Sequence, residues 1–294
     1  MSRDFPTLVN RAPAGSVALE TTLLLHGVPR EIAPALSRDL ADTVRRTGAH
    51  PVYVGLHGGV PTVGLNEPEL SSLFEAPKVA KANASNMGVL MHRRQHGATT
   101  VSTTLELASL AGVRYFATGG IGGIHKGYGS RLDISADLAA LARFPVAIVT
   151  SGVKSLLDVV STREALETLG VPVVGYRCDR FPAFYLRDSD AGVDARFDDV
   201  SDLSAFVAVE LSRSRRAVVI ANPVPPADAI DAGQWQRWLA QAEKDASGST
   251  GRDVTPVLLA ALHTISGGAT LKANLALIRS NAALAGELAA ASVR

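Results

Sequence analysis

The stretch from Ala117 to Leu138, ATGGIGGIHKGYGSRLDISADL, decides how this chain folds. It follows an apolar run, residues 113–117, that predicts a buried strand, and it leads into a helical pattern over residues 136–143. Its four paired glycines let backbone N–H groups approach an anion closely. Positive charge comes from three further side chains of the same loop: His125, Lys126 and Arg131. A strand, a glycine-rich loop and a helix in this order predict an α/β unit with a phosphate site.

Two carboxylates at the end of this stretch have two interpretations. Asp133 and Asp137 are four residues apart, so they share a face if the helix begins by Asp133. Oxygen ligands on one face could hold a hard divalent cation. The alternative is that Asp133 caps the helix, assisted by Ser135, since Asp is common at helix starts. Both interpretations stay open on the sequence alone.

Standard nucleotide-binding motifs do not fit the same loop. The dinucleotide fingerprint needs a third glycine at the position where His125 stands. The chain contains no GxxxxGKS or GxxxxGKT sequence, and Lys126 and Lys154 follow glycines at the wrong spacing for one. The loop is therefore not predicted to hold a nucleotide.

Apolar runs alternate with helical patterns along most of the chain. Strands are predicted at residues 16–25, 51–56, 113–117, 144–150, 171–176 and 217–222. Such alternation favours an α/β fold with a largely parallel central sheet covered on both sides. A helical C-terminal third follows, with helices predicted at 227–247, 254–265 and 269–289. No repeat or low-complexity linker interrupts the chain, so residues 1–294 are predicted to form a single domain.

The composition is typical of a globular protein, and it gives no support for a nucleic-acid or membrane partner. Hydrophobic residues make up 47%, charged residues 19% and the formal net charge is +1, which gives no support for a nucleic-acid partner. The single cysteine, Cys178, excludes an internal disulfide and is most simply a small buried side chain. The N-terminus has no signal-peptide core, and no apolar run reaches membrane-spanning length. We therefore expect a protein of the cytoplasm without a membrane partner.

Two ionisable residues stand out against their predicted surroundings. Glu20 lies in the apolar run 16–25, where burial would raise the pKa of its carboxyl toward a value useful for acid–base catalysis. The alternative is a Glu at a strand end, paired with a Lys or Arg. Lys154 lies in a segment, residues 151–155, that predicts the first turn of a helix ending near Gly170. The helix dipole would lower the pKa of an ammonium there and favour imine formation.

Other polar residues could contact an anion. Lys78 and Lys81 precede an Asn/Ser cluster at residues 82–86, where a lysine could reach an anionic substrate or simply lie on the surface. Residues 97–100 are predicted to open a helix that runs through Leu110, and their hydroxyls could cap the helix or bind a ligand. The residues alone leave these alternatives open.

Ten short motifs, in order along nearly the whole chain, carry a resemblance to a known family. They are ALETT (18–22), HGVP (26–29), GATTVSTT (97–104), ATGGIGGxHxG (117–127), DISADL (133–138), SGVKSLLD (151–158), PAF (182–184), ANPVP (221–225), TPVLLA (255–260) and LKANLALI (271–278). Together they resemble the pseudouridine-5'-phosphate glycosidase family, also called the indigoidine synthase A-like family. Ten motifs in register are far more specific than a single glycine pattern.

The resemblance implies a three-layer α/β/α fold, a homotrimer and a reversible C-glycosidase. Members of the family cleave the carbon–carbon bond between ribose C1' and a nucleobase carbon, which yields uracil and ribose 5-phosphate from pseudouridine 5'-phosphate. By resemblance, Lys154 is the nucleophile that holds the opened sugar as an imine, and Glu20 is the proton donor. Asp133 would bind a Mn²⁺ ion that is otherwise largely water-coordinated. Substrate contacts are expected from Lys81, Thr100, Val101, His125, Ser135, Ala136, Asp137 and Asn274.

Four short segments depart from the family pattern. They are residues 82–86, 128–131, 177–180 and 279–280. We expect the ribose 5-phosphate site to be kept, whereas the aglycone site need not fit uracil. The alternative is therefore a C-glycosynthase of an antibiotic pathway, which joins ribose 5-phosphate to a non-uracil acceptor. A sugar-phosphate sensor without catalysis and a sugar kinase are further alternatives.

Overall fold

The computed structural model describes residues 6–129, 132–245 and 254–293, so Arg131 of the glycine-rich loop lies outside the described residues. The strands, in chain order, are β1 (Val9–Asn10), β2 (Ser16–Glu20), β3 (His50–His57), β4 (Val60–Val63), β5 (Ala80–Ala82), β6 (Gly97–Thr99), β7 (Tyr115–Ala117), β8 (Ile124–His125), β9 (Ala147–Thr150), β10 (Leu157–Asp158), β11 (Val173–Tyr176), β12 (Ala195–Phe197) and β13 (Val218–Ala221). The helices are α1 (Thr21–His26), α2 (Ala33–Arg46), α3 (Glu67–Glu75), α4 (Met87–His92), α5 (Val101–Leu110), α6 (Ala136–Leu141), α7 (Val159–Thr168), α8 (Val200–Ser214), α9 (Ala232–Asp245), α10 (Val254–Ile265) and α11 (Ala269–Ala291).

Most of these strands belong to one sheet. Its main order is β1-β4-β3-β2-β7-β9-β13-β11-β12, with β6 paired to β3 and β5 paired to β6. Neighbouring strands from β3 to β12 along that order are parallel. Within the described residues, β4 and β6 are the strands of this sheet that run antiparallel to a neighbour, which is β3 in both cases. The prediction of a largely parallel central sheet is confirmed.

Helices cover both faces of the sheet because its side chains alternate between two cores. In β2, Val17 and Leu19 pack in the core that contains residues of α2, α8 and α11. Ala18, between them, packs in the core that contains residues of α5, α6 and α7. Alternation of this kind buries apolar surface on both faces of each central strand. The result is the helix–sheet–helix arrangement that the α/β/α prediction requires.

The C-terminal third is helical, as predicted, and its last helix is buried. Along α11, Leu277, Ala282, Ala285 and Leu288 are all 0% exposed. The helix contacts β2, β7 and β9 on the sheet and α2 and α8 beside it. A helix that is surrounded in this way is apolar on most of its faces. None of the described helices is both long and apolar enough to cross a membrane.

The first predicted strand, residues 16–25, is wrong beyond Glu20. β2 ends at Glu20, and α1 begins at Thr21 instead of the strand continuing. The Thr21 hydroxyl stabilises this turn from strand to helix, since it donates to Val54 O at 2.9 Å and accepts from Thr99 N–H at 3.0 Å. A short apolar run does not distinguish a buried strand from a buried helix. Glu20 therefore lies at the carboxyl end of a central strand.

The helix predicted around Lys154 is also wrong. α7 begins only at Val159, where Asp158 caps it by accepting from Ser161 N–H at 2.9 Å. Lys154 lies in a loop before β10, so the helix-dipole argument for its reactivity does not apply. Backbone pairing holds the loop instead, with Lys154 N–H donating to Ile121 O at 3.1 Å. This pairing is a tertiary contact that local spacing does not reveal.

The helix predicted from Gly97 begins later, at Val101. Residues 97–99 form β6, which pairs with β3 and β5, and Thr100 is the N-cap of α5. Thr100 N–H donates to Ala82 O at 3.0 Å, and Lys81 lies opposite Ala98 in the pairing of β5 with β6. The start of α5 and the lysine of β5 are therefore neighbours.

The start of α6 excludes both helical roles predicted for Asp133, namely a helical face shared with Asp137 and the N-cap. α6 begins at Ala136 and is capped by Ser135, whose Oγ accepts from Asp137 N–H at 3.2 Å. Asp133 lies outside the helix, so it neither caps α6 nor shares a helical face with Asp137. The short polar side chain of Ser135 suits the capping position as well as Asp does, and sequence preference does not separate them.

Candidate active site

A cavity of about 330 Å³ opens at the carboxyl ends of β2 and β7, beside the glycine-rich loop. Ligands commonly bind at this edge of a parallel sheet. Six predicted site residues line the cavity: Glu20, Lys81, His125, Ser135, Lys154 and Asn274. The sequence does not predict a second group of lining side chains, which includes Thr22, Leu23, His26, Thr118, Phe184 and Tyr185. Tertiary folding thus brings an acid, two amines and several aromatic groups into one small space.

Glu20 is the buried acid of this cavity. The residue is 4% exposed, and its Oε1 accepts a short hydrogen bond from the Thr118 hydroxyl. Burial raises the pKa of the Glu20 carboxyl, and Asp137 adds to that effect. The positive charge of Lys154, the Thr118 hydroxyl and Lys81 oppose it but do not cancel it. A carboxyl whose pKa is raised can carry a proton near neutral pH and donate it, which is the requirement for a general acid.

Two lysines share the cavity with Glu20. Lys81 comes from β5, and Lys154 comes from the loop before β10. The pKa of the Lys81 ammonium is lowered by burial and then by the charge of Lys154, whereas Glu20 raises it. The opposite shifts in the pKa values of Glu20 and Lys81 both favour the uncharged forms of these side chains. Such paired shifts are typical of sites that move protons.

The loop that carries Lys154 depends on one glycine. Gly152 has a φ of +84°, and a Cβ at this position would lie 1.7 Å from Pro182 O, so no other residue fits without rearrangement. Gly152 O accepts from Ile121 N–H at 2.9 Å, next to the bond that Lys154 N–H makes to Ile121 O. These bonds fix the backbone of Lys154 against the glycine-rich loop. The Lys154 side chain is exposed and lines the cavity, so a ligand can reach its amine.

Asp137 supports the glycine-rich loop from outside the cavity. Its carboxylate is buried, with Oδ1 accepting from Ser102 N–H at 2.9 Å and Oδ2 accepting from Gly122 N–H at 2.8 Å. A Cβ at Gly122 would lie 2.3 Å from Ser135 Oγ, so glycine is required for this close approach. The carboxylate joins the first turn of α5, the start of α6 and the loop. Four predicted substrate contacts lie outside the cavity lining: Thr100, Val101, Ala136 and Asp137.

Asp133 lies beside the cavity and not in its lining. Its side chain is 66% exposed, and its Oδ2 is 3.9 Å from Nδ1 of His125, which does line the cavity. In the part of the chain that the structure describes, no three His, Cys, Asp or Glu side chains converge on a metal position. A single exposed carboxylate fits a hard, largely hydrated cation such as Mn²⁺ and does not fit a metal enclosed by protein ligands.

Thr118 and Phe184 are two of the cavity residues that sequence reasoning misses. Thr118 directly follows β7 within the glycine-rich stretch, and its place at a strand end is a signal that could have identified it. Phe184 has a φ of +63°, which is rare for a residue with a large side chain. A Cβ at Gly120 would lie 2.6 Å from the Phe184 ring, and the ring packs edge-on to Tyr185 with 4.8 Å between centroids. No sequence pattern predicts this aromatic wall, because it depends on the fit of a ring over a glycine backbone.

A second, larger cleft of about 670 Å³ lies between α2 and α3. Its charged lining side chains carry both signs: Arg30, Arg38, Arg45, Asp42, Glu67 and Glu75. The buried Tyr53 phenol that lines it already donates to Ser37 O at 2.6 Å. The smaller cavity is the better candidate active site, because a buried acid and two amines meet there.

Known proteins resemble this chain over nearly its whole length. A pseudouridine-5'-phosphate glycosidase from Nocardioides sp. (strain ATCC BAA-499 / JS614) is 42% identical over 282 residues, which cover 95% of this chain and 92% of the relative. An indigoidine synthase A-like protein from Thermotoga maritima MSB8 has a solved structure that matches with a TM-score of 0.90 and 33% identity, covering 100% of this chain and 99% of that one. The prealnumycin C-glycosynthase AlnA, solved in complex with ribulose 5-phosphate, matches with a TM-score of 0.87 and 35% identity, covering 94% and 91%.

The match to a family agrees with these relatives. Residues 9–291 match the family described as indigoidine synthase A like protein. This span contains every residue that lines the cavity. The motifs that suggested the resemblance are therefore explained by common descent, and the chain belongs to the indigoidine synthase A-like family.

Proposed function

We propose that this protein is a C-glycosidase that breaks or forms the bond between C1' of ribose 5-phosphate and a nucleobase carbon. The observation that carries the proposal is a buried Glu20, with a raised carboxyl pKa, in the same cavity as Lys81 and Lys154. The name of the 42% identical relative, pseudouridine-5'-phosphate glycosidase, supports the same reaction. A sugar kinase is disfavoured because neither standard nucleotide loop is present.

The chemistry requires an amine as well as an acid. A C-glycosidic bond has no leaving oxygen to protonate, so the two-carboxylate chemistry of ordinary glycosidases does not apply. In the proposed cleavage, Lys154 Nζ attacks C1' as the free amine and the ring oxygen leaves C1', taking up the proton that the nitrogen releases as the sugar opens. Glu20 then protonates the base carbon, and the lysine lone pair forms the C1'=N bond as the carbon–carbon bond breaks. Water hydrolyses this imine to ribose 5-phosphate and restores the amine.

The sugar phosphate is proposed to lie toward the glycine-rich loop. Lys81 supplies positive charge, and Ser135 and His125 supply hydrogen-bonding groups in the cavity lining. Thr100 and Val101 begin α5 outside the cavity lining, and the first turn of this helix already binds one anion, since Ser102 N–H donates to the Asp137 carboxylate. The AlnA structure, solved with ribulose 5-phosphate, supports a sugar phosphate as the ligand class.

The aglycone is proposed to lie between Asn274 and Phe184. Asn274 is 8% exposed, and its Nδ2 donates to Gly27 O at 3.3 Å. Its buried Oδ1 accepts no hydrogen bond from the described residues, which suits it to accept from an N–H group of a base. The Phe184 ring offers an apolar face to a planar ring.

A divalent cation is proposed to bind Asp133, with water completing its coordination. A cation held there would polarise a sugar or phosphate oxygen and offset negative charge. His125 lies 3.9 Å from the Asp133 carboxylate and would orient it from the cavity side. The exposed position of Asp133 allows such a cation to enter with the substrate.

A second candidate function is C-glycoside synthesis with a non-uracil acceptor. The match to a prealnumycin C-glycosynthase favours it, and so does the Asn/Ser cluster at residues 82–86, one of the segments expected to depart from the family pattern. The imine intermediate is common to both directions, since a carbon nucleophile can attack the same C1'=N bond. The two candidates therefore differ in the aglycone and not in the lysine chemistry.

Assembly as a homotrimer is also part of the proposal. Leu132 and Ile134, near the mouth of the cavity, are 85% and 48% exposed, and apolar side chains of this kind are often covered by a second subunit. Light scattering coupled to size-exclusion chromatography should give the mass of three chains. A mass of one chain would reject the trimer.

The test combines adduct trapping with turnover. The protein is incubated with ribose 5-phosphate, Mn²⁺ and borohydride, and the modified peptide is identified by mass spectrometry. Uracil release from pseudouridine 5'-phosphate is measured in parallel. We expect a reduced sugar adduct on Lys154, and we expect Lys154→Ala to lose the adduct and on the order of 10³-fold or more in turnover. Lys78→Ala, which removes an exposed lysine outside the cavity lining, is the matched control and should retain both.

Each outcome separates the candidate functions. An adduct on Lys154 with rapid uracil release supports the glycosidase. An adduct without uracil release indicates an altered acceptor and supports the C-glycosynthase. Unchanged turnover in Lys154→Ala rejects Lys154 as the nucleophile. Ribose 5-phosphate binding without any adduct or turnover favours a sensor.

A further inference from the structure

Asn281 lies at the centre of a buried hydrogen-bond network next to the cavity. The residue is 0% exposed and belongs to α11. Its Nδ2 donates to Thr118 O at 2.7 Å and to Ser151 Oγ at 3.1 Å. Its Oδ1 accepts from Asn222 Nδ2 at 2.9 Å. Asn281 does not line the cavity, so it acts only through these partners.

The donor and acceptor directions in this network are consistent. Thr118 O is a carbonyl and only accepts, so the amide nitrogen of Asn281 must face it. The Ser151 hydroxyl donates to Asn222 O at 2.8 Å, which leaves its oxygen to accept from Asn281. Asn222 Nδ2 has a second acceptor in Ser280 Oγ at 3.0 Å. The polar groups therefore satisfy one another within a core that is otherwise apolar.

The three partners of Asn281 follow three neighbouring strands. Thr118 follows β7, Ser151 follows β9 and Asn222 follows β13, and these strands are adjacent and parallel in the sheet. Two of these strand ends hold groups next to the proposed catalytic residues Glu20 and Lys154. The Thr118 hydroxyl donates to Glu20, and Ser151 begins the loop that carries Lys154. The side-chain amide of Asn281 thus binds both Thr118, whose hydroxyl donates to Glu20, and Ser151, which begins the Lys154 loop.

From this geometry we propose that Asn281 is a positioning residue, which keeps the Thr118 hydroxyl on Glu20 and the Ser151 end of the Lys154 loop in place. The inference rests on the proposed function of Glu20 and Lys154. A buried polar network is costly when any member is unsatisfied, and apolar side chains at positions 151, 222 and 281 together would fill the same space with fewer polar groups to satisfy. The presence of an amide side chain at position 281 is therefore explained by its hydrogen bonds to the strand ends and not by packing of the core.

The experiment compares Asn281→Leu with Leu284→Ala. Leucine is neutral and close in size to asparagine, so it removes the hydrogen bonds without adding a charge. Leu284 is buried in the same helix and makes no polar contact with the site, so its truncation is a matched destabilising control. Thermal unfolding of both variants establishes a temperature at which each is folded. Asn281→Ser serves as the second variant if Asn281→Leu is insoluble.

The first readout does not require turnover. The Glu20 carboxyl is titrated by ¹³C NMR in the protein alone, with Glu20→Gln used to assign its signal. We expect the pKa of Glu20 to be higher in Asn281→Leu, because a displaced Thr118 hydroxyl no longer stabilises the carboxylate. The charged groups that act on Glu20, namely Lys81, Lys154 and Asp137, are unchanged in both variants. Leu284→Ala should leave this pKa at the wild-type value.

The second readout is kinetic. We expect kcat of Asn281→Leu to fall on the order of 10²-fold with little change in KM, because the reacting groups shift while Lys81 and the sugar-phosphate end remain. In a Thr118→Val background, Asn281→Leu should not raise the pKa of Glu20 further, because the hydroxyl that transmits the effect is already absent. Wild-type values of the Glu20 pKa and of kcat in Asn281→Leu would overturn the inference. Equal losses in Leu284→Ala would overturn it as well. If the wild-type protein neither releases uracil from pseudouridine 5'-phosphate nor forms an adduct with ribose 5-phosphate, the proposed function fails, and the NMR titration still decides the role of Asn281.

Discussion

The two ends of the cavity are built differently. The closed end comprises Glu20, Thr118 and Phe184 of the lining, and the open end comprises His125 and Ser135 of the lining with Asp133 beside them. Glu20 is 4% exposed and accepts a hydrogen bond from Thr118, whereas the Asp133 side chain is 66% exposed and lies 3.9 Å from His125. The closed end is therefore organised before a ligand binds. The open end is suited to groups that arrive with the ligand, such as a hydrated cation or a phosphate.

The glycines show the same contrast between the two ends. Gly120 lies against the Phe184 ring, and a Cβ there would lie 2.6 Å from it. Gly129 lies on the exposed part of the loop, and a Cβ there would meet no heavy atom of the described residues within 4 Å. Preorganisation lowers the reorganisation needed during the reaction, so changes at the closed end should affect catalysis more than changes at the open end.

Among the variants that compare the two ends, the largest effect is expected for Glu20→Gln at the closed end. Glutamine keeps the shape and can still accept from Thr118, but it cannot donate an acidic proton. We expect kcat for uracil release to fall about 10²- to 10⁴-fold, as for the loss of a general acid. Steady-state kinetics with pseudouridine 5'-phosphate measures the effect. A fall in kcat smaller than that of an open-end variant would contradict the expected difference between the two ends.

Stability gives an independent check on the same variant. The pKa of Glu20 is raised by folding, so the carboxyl favours the folded state at low pH and this contribution is lost as pH rises through the folded-state pKa. Above that pH, folding must keep a buried carboxylate, and Gln avoids this cost. Glu20→Gln should therefore have a higher Tm than wild type at pH 8, with the difference shrinking on acidification. A pH-independent difference in Tm would contradict a raised pKa.

A smaller effect is expected for Thr118→Val. Valine has nearly the same shape, but it removes the hydroxyl that donates to Glu20. That bond lowers the pKa of Glu20, so its loss should raise the pKa further and keep the acid protonated to higher pH. We expect kcat to fall about tenfold through lost positioning, with the alkaline limb of its pH profile moving to higher pH. An alkaline limb that moves to lower pH would show that Thr118 does not act on Glu20.

The smallest effect is expected for Asp133→Asn at the open end. An exposed carboxylate is strongly screened, so the variant should lose only about threefold to tenfold in activity at saturating Mn²⁺. Its half-saturating Mn²⁺ concentration should rise, and EDTA should reduce the activity of wild type more than that of the variant. Titration of initial rates with Mn²⁺ measures both. A loss as large as that of Glu20→Gln would mean that Asp133 has a direct catalytic role.

Sequence reasoning found Glu20 for a sound physical reason. A carboxylate in an apolar run indicates burial, and burial is confirmed by its 4% exposure. Its partner is Thr118, 98 residues away along the chain, and no local pattern connects them. Lys154 was singled out by a predicted helix start and by the family motifs, and the helix predicted around it was wrong. A motif can therefore identify a residue even when the local structure around it is predicted incorrectly.

The apolar runs by themselves determined the six central strands β2, β3, β7, β9, β11 and β13, since buried parallel strands need continuous apolar sequence and their order along the chain alternates with helices. The glycine pairs likewise determined where the backbone comes close to other groups, such as the Asp137 carboxylate that accepts from Gly122 N–H. Only the tertiary structure decided which strand ends meet, because hydrogen bonds such as those from Asn281 to Thr118 and Ser151 join residues 163 and 130 positions apart. It also decided the difference between the two ends of the cavity. Burial and hydrogen-bond partners belong to the packed chain, and residue type at one position does not specify them.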